Sequence, residues 1–148
     1  MKGKIGLEEH FAIEDTIMDS HGFLSERVWP ELKSRLLDIQ DKRLAFMDEY
    51  GVEMMILSLN APAVQAIPDP HLANETARKS NDFMAREIQK RPERFAGLAA
   101  LPMQDPDAAI RELERCKKEL GFGGILVNGF SQIGQPDTAI YLDLEQYR

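Results

Sequence analysis

Twice in this chain an Asp-Pro pair opens an amphipathic stretch that ends just before a short apolar run. Asp69-Pro70 precedes the run at 95–101, and Asp105-Pro106 precedes the run at 124–127. An aspartate can accept hydrogen bonds from the free N–H groups of a first helical turn, and proline is preset for the first helical position. Behind the first pair, Ala73, Ala77, Met84 and Ile88 fall on one helical face, and Pro92 stops the helix. Behind the second, Ala109, Leu113, Cys116 and Leu120 do the same, and Gly121 closes the segment. Upstream, Leu37, Leu44 and Met47 recur at helical spacing, with Gly51 placed to take positive φ after the last turn. The run at 54–57 has no alternation, which suits a strand buried on both faces of a parallel sheet. Residues 4–7 make a first strand.

The order is therefore strand, helix, strand, helix, strand, helix, strand. Such alternation builds a parallel α/β sheet with right-handed crossovers. Periodicity leaves two architectures open, a doubly wound sheet and part of an eight-stranded barrel. The first strand–helix turn carries no Gly-x-Gly-x-x-Gly and the chain no Walker sequence, so a nucleotide-binding sheet has little support. Residues 13–31 lack a period and hold Gly22, Trp29 and Pro30; they read as a long loop insertion, about 12–32, of the kind that usually has a function. The tail from 131 to 148 shows no strong period.

A length of 148 residues suits one domain, and 43% apolar with 29% charged residues suits a globular one. No apolar run approaches the ~18 residues of a membrane span. The start, Met1-Lys2-Gly3-Lys4, soon meets Glu8 and Glu9 and is not a signal peptide. Cys116 is the only cysteine, which excludes an intrachain disulfide and points to the cytoplasm. The net charge of -7, with no Lys/Arg cluster, argues against nucleic acid as a partner.

Glu8 and His10 carry the sharpest chemical signal. Two residues apart on a strand share a face. At the C-terminal end of a first barrel strand both would reach the mouth, where barrel enzymes keep their catalytic groups. Carboxylate and imidazole are ordinary ligands for zinc or manganese. Glu9 should face the other way, in a structural role. Asn60 and Asn128 follow the second and fourth strands and can hydrogen-bond a substrate oxygen; turn chemistry is their alternative reading. Phe23 and Trp29 offer an apolar wall for an aromatic ligand, or else anchor the long loop. His21 and His71 read as solvated. Cys116 and the Met54-Met55 pair read as core.

Four segments occur together in order: Gly6-Leu7-Glu8-Glu9-His10-Phe11, Ile56-Leu57-Ser58-Leu59-Asn60-Ala61-Pro62, Arg91-Pro92-Glu93-Arg94-Phe95 and Gly124-Ile125-Leu126-Val127-Asn128-Gly129-Phe130. With them the chain resembles the amidohydrolase-related aromatic acid decarboxylases, on the γ-resorcylate (2,6-dihydroxybenzoate) branch. The resemblance runs over nearly the whole chain. It implies the N-terminal half of a (β/α)₈ barrel of the metal-dependent hydrolase type, with residues 1–148 as a single partial domain of four strands. It implies a homotetramer, one divalent metal (zinc or manganese), no organic cofactor and a small aromatic acid as substrate. The implied reaction is reversible, non-oxidative loss of CO₂ from an ortho-hydroxybenzoate, a step in aromatic compound degradation. Glu8 becomes a metal ligand and His10 a residue of the metal shell, while Phe23 and Asn128 become substrate-pocket residues. The remaining ligands and the proton-donating Asp of this family are expected beyond Arg148. Two other functions stay open: a metal-dependent hydrolase of the amidohydrolase type, and an inactive fragment.

Overall fold

A computed structural model describes residues 3–23, 25–133 and 139–141, apart from the side chains of Phe23 and 139–141. Four strands, β1 (Lys4–Phe11), β2 (Val52–Leu59), β3 (Phe95–Ala99) and β4 (Gly124–Ile125), form one parallel sheet in the order β1-β2-β3-β4. Sequential order with no strand inserted is the order of a barrel and not of a nucleotide-binding sheet, whose first strand lies inside. The connections hold four helices: α1 (Trp29–Leu37), α2 (Lys42–Tyr50), α3 (Pro70–Lys90) and α4 (Pro106–Lys118).

The Asp-Pro pairs work as their chemistry requires. Asp69 Oδ1 accepts from the amides of His71 (2.8 Å) and Leu72 (3.1 Å), and Asp105 Oδ1 accepts from Ala108 N at 3.0 Å. Gly51 ends α2 at φ 66°, where a side chain would be strained.

Three of the expected elements need correction. The single helix through Leu37, Leu44 and Met47 is two, since the chain breaks between α1 and α2 and Leu37 ends the first. The stretch read as irregular holds a 3₁₀ segment, Ile17–Phe23, and the first turn of α1. Its reason is a small second core of Ala12, Ile17, Trp29 and Leu36, so Trp29 anchors the loop rather than walling a ligand site. The tail contains an antiparallel pair, β5 (Phe130–Gln132) with β6 (Ala139–Tyr141), too short to announce itself by period.

Burial in the sheet is one-sided. In β2, Met55 and Leu57 are buried under the helices while Met54 and Ile56 are half-buried; in β3, Phe95, Gly97 and Ala99 are buried while Ala96 and Leu98 are half-buried. The run at 54–57 is thus not covered on both faces. Helices α3 and α4 cover the outer face, and the opposite one is the inner face of a barrel. Gly97 is what lets α3 sit so close: a Cβ there would meet Ile88 Cδ1 at 2.9 Å and Met84 Sδ at 3.2 Å.

Leu113, expected in the core, is 37% exposed, and Glu112 takes the buried place beside it. The Glu112 carboxylate receives Arg115 (2.7 and 2.8 Å), Arg78 (3.0 Å) and Asn81 Nδ2 (2.9 Å). Asn81 also grips the backbone of Ala100, donating to its carbonyl at 2.9 Å and accepting from its amide at 3.0 Å. The ion cluster between α3 and α4 therefore holds the exit of β3.

Candidate active site

The first strand is not regular where its functional residues lie. Gly6 pairs with Met55 and Glu9 with Leu57, so three steps on β1 match two on β2. This is a β-bulge, and Glu8 sits in it at φ 60°. The extra residue decides which way the strand end faces. In unbroken register from Gly6, His10 would stand beside Leu59 on the helix-covered face. With the bulge it pairs with Ser58, on the inner face with Met54 and Ile56. Glu9 stays on the helix side with Gly6, close enough that a Cβ on Gly6 would meet Glu9 Oε1 at 2.7 Å. Strict alternation, the reason given for pairing Glu8 with His10, does not hold; both nonetheless line one cleft.

His10 is fixed at two points. Its Nδ1 lies 3.0 Å from the Oγ of fully buried Ser58. Its carbonyl accepts from Arg43 Nη2 at 2.6 Å. Burial pulls the Arg43 guanidinium below its usual value, against the opposing pull of Glu9 and Asp38. When Nδ1–H donates to Ser58, the lone pair is on Nε2, the tautomer a metal ligand needs. Glu8, His10, Ser20 and Asn60 border a wide open cleft of about 850 Å³. It continues along β1 to the helix side, where Glu9, Met55 and residues of α1 and α2 such as Leu36, Arg43 and Phe46 line it.

Asn60, 3% exposed, is spent largely on the loop. Its Nδ2 donates to Thr16 O (2.9 Å) and Ser20 Oγ (2.8 Å), and its Oδ1 accepts from Thr16 Oγ1 at 2.9 Å. It closes the long loop onto the end of β2. Asn128 is half-buried at the exit of β4 and shares with Asn60 a small cavity of about 20 Å³, room for about one water. The Phe23 side chain lies outside the described residues. His21, expected in solvent, instead pairs with Glu26 (3.0 Å) and meets the Trp29 ring edge-on at 4.7 Å. Burial beside Glu112 pushes the Cys116 thiol up to about 12, so it is inert core.

Sequence reasoning missed Ser58, Arg43 and Gln65. Ser58 had a signal, a lone hydroxyl at the end of an apolar strand. Arg43 and Gln65 had none, because the groups they hold at the site lie far off in sequence, the His10 carbonyl for Arg43 and the backbone of Asn128 for Gln65.

As a metal centre the arrangement is partial. Among the described residues no group of three or more His, Cys, Asp or Glu side chains is placed to hold an ion. A Glu and a His at a strand's C-terminal end suit zinc or manganese, but a closed site takes four or more donors.

The profile described as amidohydrolase matches residues 18–143. The chain belongs to the amidohydrolase family. Within it, this amidohydrolase chain is 65% identical over 147 residues to a gamma-resorcylate decarboxylase of Polaromonas sp. (strain JS666), covering 99% of itself and 45% of the relative. It is 62% identical over 148 residues to the enzyme of that name from Rhizobium sp. (strain MTP-10005), covering 100% and 45%. Among solved structures it superposes on a dihydroxybenzoic acid decarboxylase from Polaromonas sp. JS666, crystallised with manganese and the inhibitor 2-nitroresorcinol, with a TM-score of 0.94, 65% identity and coverage of 99% and 44%. A 2,6-dihydroxybenzoate decarboxylase complexed with 2,6-dihydroxybenzoate gives a TM-score of 0.95 at 62% identity, with coverage of 99% and 45%. The chain spans about 45% of the length of the curated relatives it matches. Its sheet order fits the N-terminal part of their (β/α)₈ barrel.

Proposed function

We propose that this chain supplies the first part of the active site of a metal-dependent, non-oxidative decarboxylase that converts 2,6-dihydroxybenzoate to resorcinol and CO₂. The observation that carries the reading is His10 turned by the β1 bulge onto the inner face, with Nδ1 held by Ser58 and Glu8 on the same cleft. Its setting is a chain 65% identical to a gamma-resorcylate decarboxylase.

Glu8 through its carboxylate and His10 through Nε2 would hold one divalent ion: manganese, as in the Polaromonas structure, or zinc. Once bound, the ion would supply a fixed positive charge that orients and polarises the substrate's carboxylate and phenolic oxygens. Ser58 and Arg43 keep His10 in one orientation and one tautomer. Asn128 donates its amide to a substrate oxygen, and Phe23 walls the aromatic ring. Asn60 acts by seating the loop that carries Phe23. Protonation of the carboxylate-bearing ring carbon precedes loss of CO₂, and ortho oxygens make that carbon electron-rich. The group that gives this proton and the remaining metal ligands are not assigned among the described residues; on this reading they come from later strands of the barrel. The whole protein is taken to be cytoplasmic and homotetrameric, with a role in aromatic compound degradation.

The similarity to decarboxylases favours a lyase over a hydrolase. Co-expression with the C-terminal portion of the Polaromonas enzyme tests this. Resorcinol release from 2,6-dihydroxybenzoate by the pair with manganese or zinc, and none by the chain alone, is the expected result. Hydrolysis of simple lactones or amides without decarboxylation would overturn it.

A further inference from the structure

Gln65 lies in a 3₁₀ turn, Ala63–Ala66, just after β2, and is only 4% exposed. Its side chain makes no contact with its own turn that would explain burying an amide. It reaches instead across the sheet end to the exit of β4, 63 to 66 residues away. Oε1 accepts from Asn128 N at 2.6 Å. Nε2 lies within donating distance of Asn128 O (3.1 Å), Phe130 O (2.7 Å) and Ser131 Oγ (3.0 Å). With its two N–H hydrogens and its Oε1, one side chain can thus meet both backbone groups of Asn128 and one of the two groups beyond it.

Clamping both N and O of a residue fixes its peptide planes, and with them the direction of its Cα–Cβ bond. Asn128 falls between two paired stretches: β4 pairing at Gly124 and Ile125 is extended by Leu126 N to Ala99 O (3.1 Å), and pairing resumes only with β5 at Phe130. The clamp is itself braced. Gln104, beyond β3, donates from Nε2 to Val64 O and Ile67 O, both at 2.7 Å, on either side of Gln65. Three consecutive strand exits are joined by two buried amides.

We infer that Gln65 is a positioning residue that aims the Asn128 side chain at the substrate. The inference rests on the reading of Asn128 as a substrate contact. Gln65 itself touches no reacting atom. A purely structural clamp would alter stability alone, whereas a positioning clamp is coupled to Asn128 and loses its effect once that side chain is gone.

The test is a double-mutant cycle in the complemented enzyme with 2,6-dihydroxybenzoate. Gln65→Met keeps the volume and removes the hydrogen bonds. It should lower kcat/KM about tenfold, mostly through KM, and Asn128→Ala should lower it by at least as much. The double variant should be no worse than Asn128→Ala alone. Additive losses, or an unchanged kcat/KM in Gln65→Met beside an impaired Asn128→Ala, would overturn the inference. An Asn128→Ala variant with full activity would refute the underlying reading instead, and the inference with it. Amide hydrogen exchange in the complemented enzyme gives a second readout. In Gln65→Met the Asn128 amide should exchange at least about tenfold faster, while amides within α3 keep their rates. Unchanged exchange at Asn128 would also overturn it. Should Gln65→Met not fold, Gln65→Glu serves: it keeps the acceptor for Asn128 N, sets a carboxylate against three oxygens, and should show the same coupling.

Discussion

His10 shows how a single side chain depends on neighbours that perform no chemistry themselves. Its ring is held at Nδ1 by Ser58 and its backbone by Arg43. Partners of this kind commonly matter about 10–100-fold to metal affinity. Ser58→Ala should therefore weaken manganese binding by the complemented enzyme by about that factor, read by titration calorimetry, and Ser58→Thr should restore most of it. Equal affinity in Ser58→Ala would show that the hydrogen bond does not orient the ring. Glu8 and His10 were legible in the sequence as a carboxylate and an imidazole at a strand end. The reason for their placement was not, because a bulge is a matter of register between two strands and leaves no periodic trace. The same holds for Asn60, visible as a residue beyond a strand but committed to Thr16 and Ser20, whose proximity only the folded loop creates.

At the scale of elements, β1 stores strain at its bulge. A non-glycine residue at φ 60° costs on the order of 1 kcal/mol. Glu8→Gly should raise the unfolding free energy by about 1 kcal/mol in chemical denaturation while removing one proposed ligand. A loss of stability would mean that the Glu8 side chain holds the bulge in place. On the outer side, α4 gives a prediction in pH. Burial pushes the Glu112 carboxyl up, but hydrogen bonds from Arg115 and Asn81 and the Arg115 charge outweigh it, and the folded value falls below the ordinary 4.5. A lowered carboxylate contributes stability that is complete above the unfolded value and fades as pH falls through the folded one. The chain should lose stability below about pH 4.5, and Glu112→Gln should flatten that part of the profile, as followed by thermal melts across pH. An unchanged acid limb would remove Glu112 as its cause. The Asp-Pro starts, Gly51 and the alternation of strands with helices along the chain were readable, since each rests on local backbone chemistry or on the period of apolar residues, whereas the barrel-type sheet order followed from the resemblance and not from the period. The swap of Leu113 for Glu112 was not, because a buried carboxylate is recognisable only with Arg78, Arg115 and Asn81 around it.

For the molecule as a whole, the outer face of the sheet is sealed by helices and the inner face is open. On the inner face of β1, Ile5 is 58% and Leu7 73% exposed, while on the helix side Ile125, register partner of Ala99, is 37% exposed at the β4 edge of the sheet. Among the described residues, β1 and β4 each pair on one side only. Open edges and apolar faces drive association. The chain alone should self-associate at micromolar concentration, seen as a mass above 16.8 kDa in light scattering, and co-expression with a complementing half should suppress this. A stable monomer would mean that the inner face is covered in a way the sheet does not reveal. The central claim, that this chain brings Glu8 and His10 to a decarboxylase metal site, is met most directly by one assay. Resorcinol release from 2,6-dihydroxybenzoate is measured in the complemented enzyme carrying either the unaltered chain or His10→Ala. The account predicts turnover with the first and a fall of at least about 100-fold, together with weakened manganese binding, with the second. Equal turnover by both would contradict it.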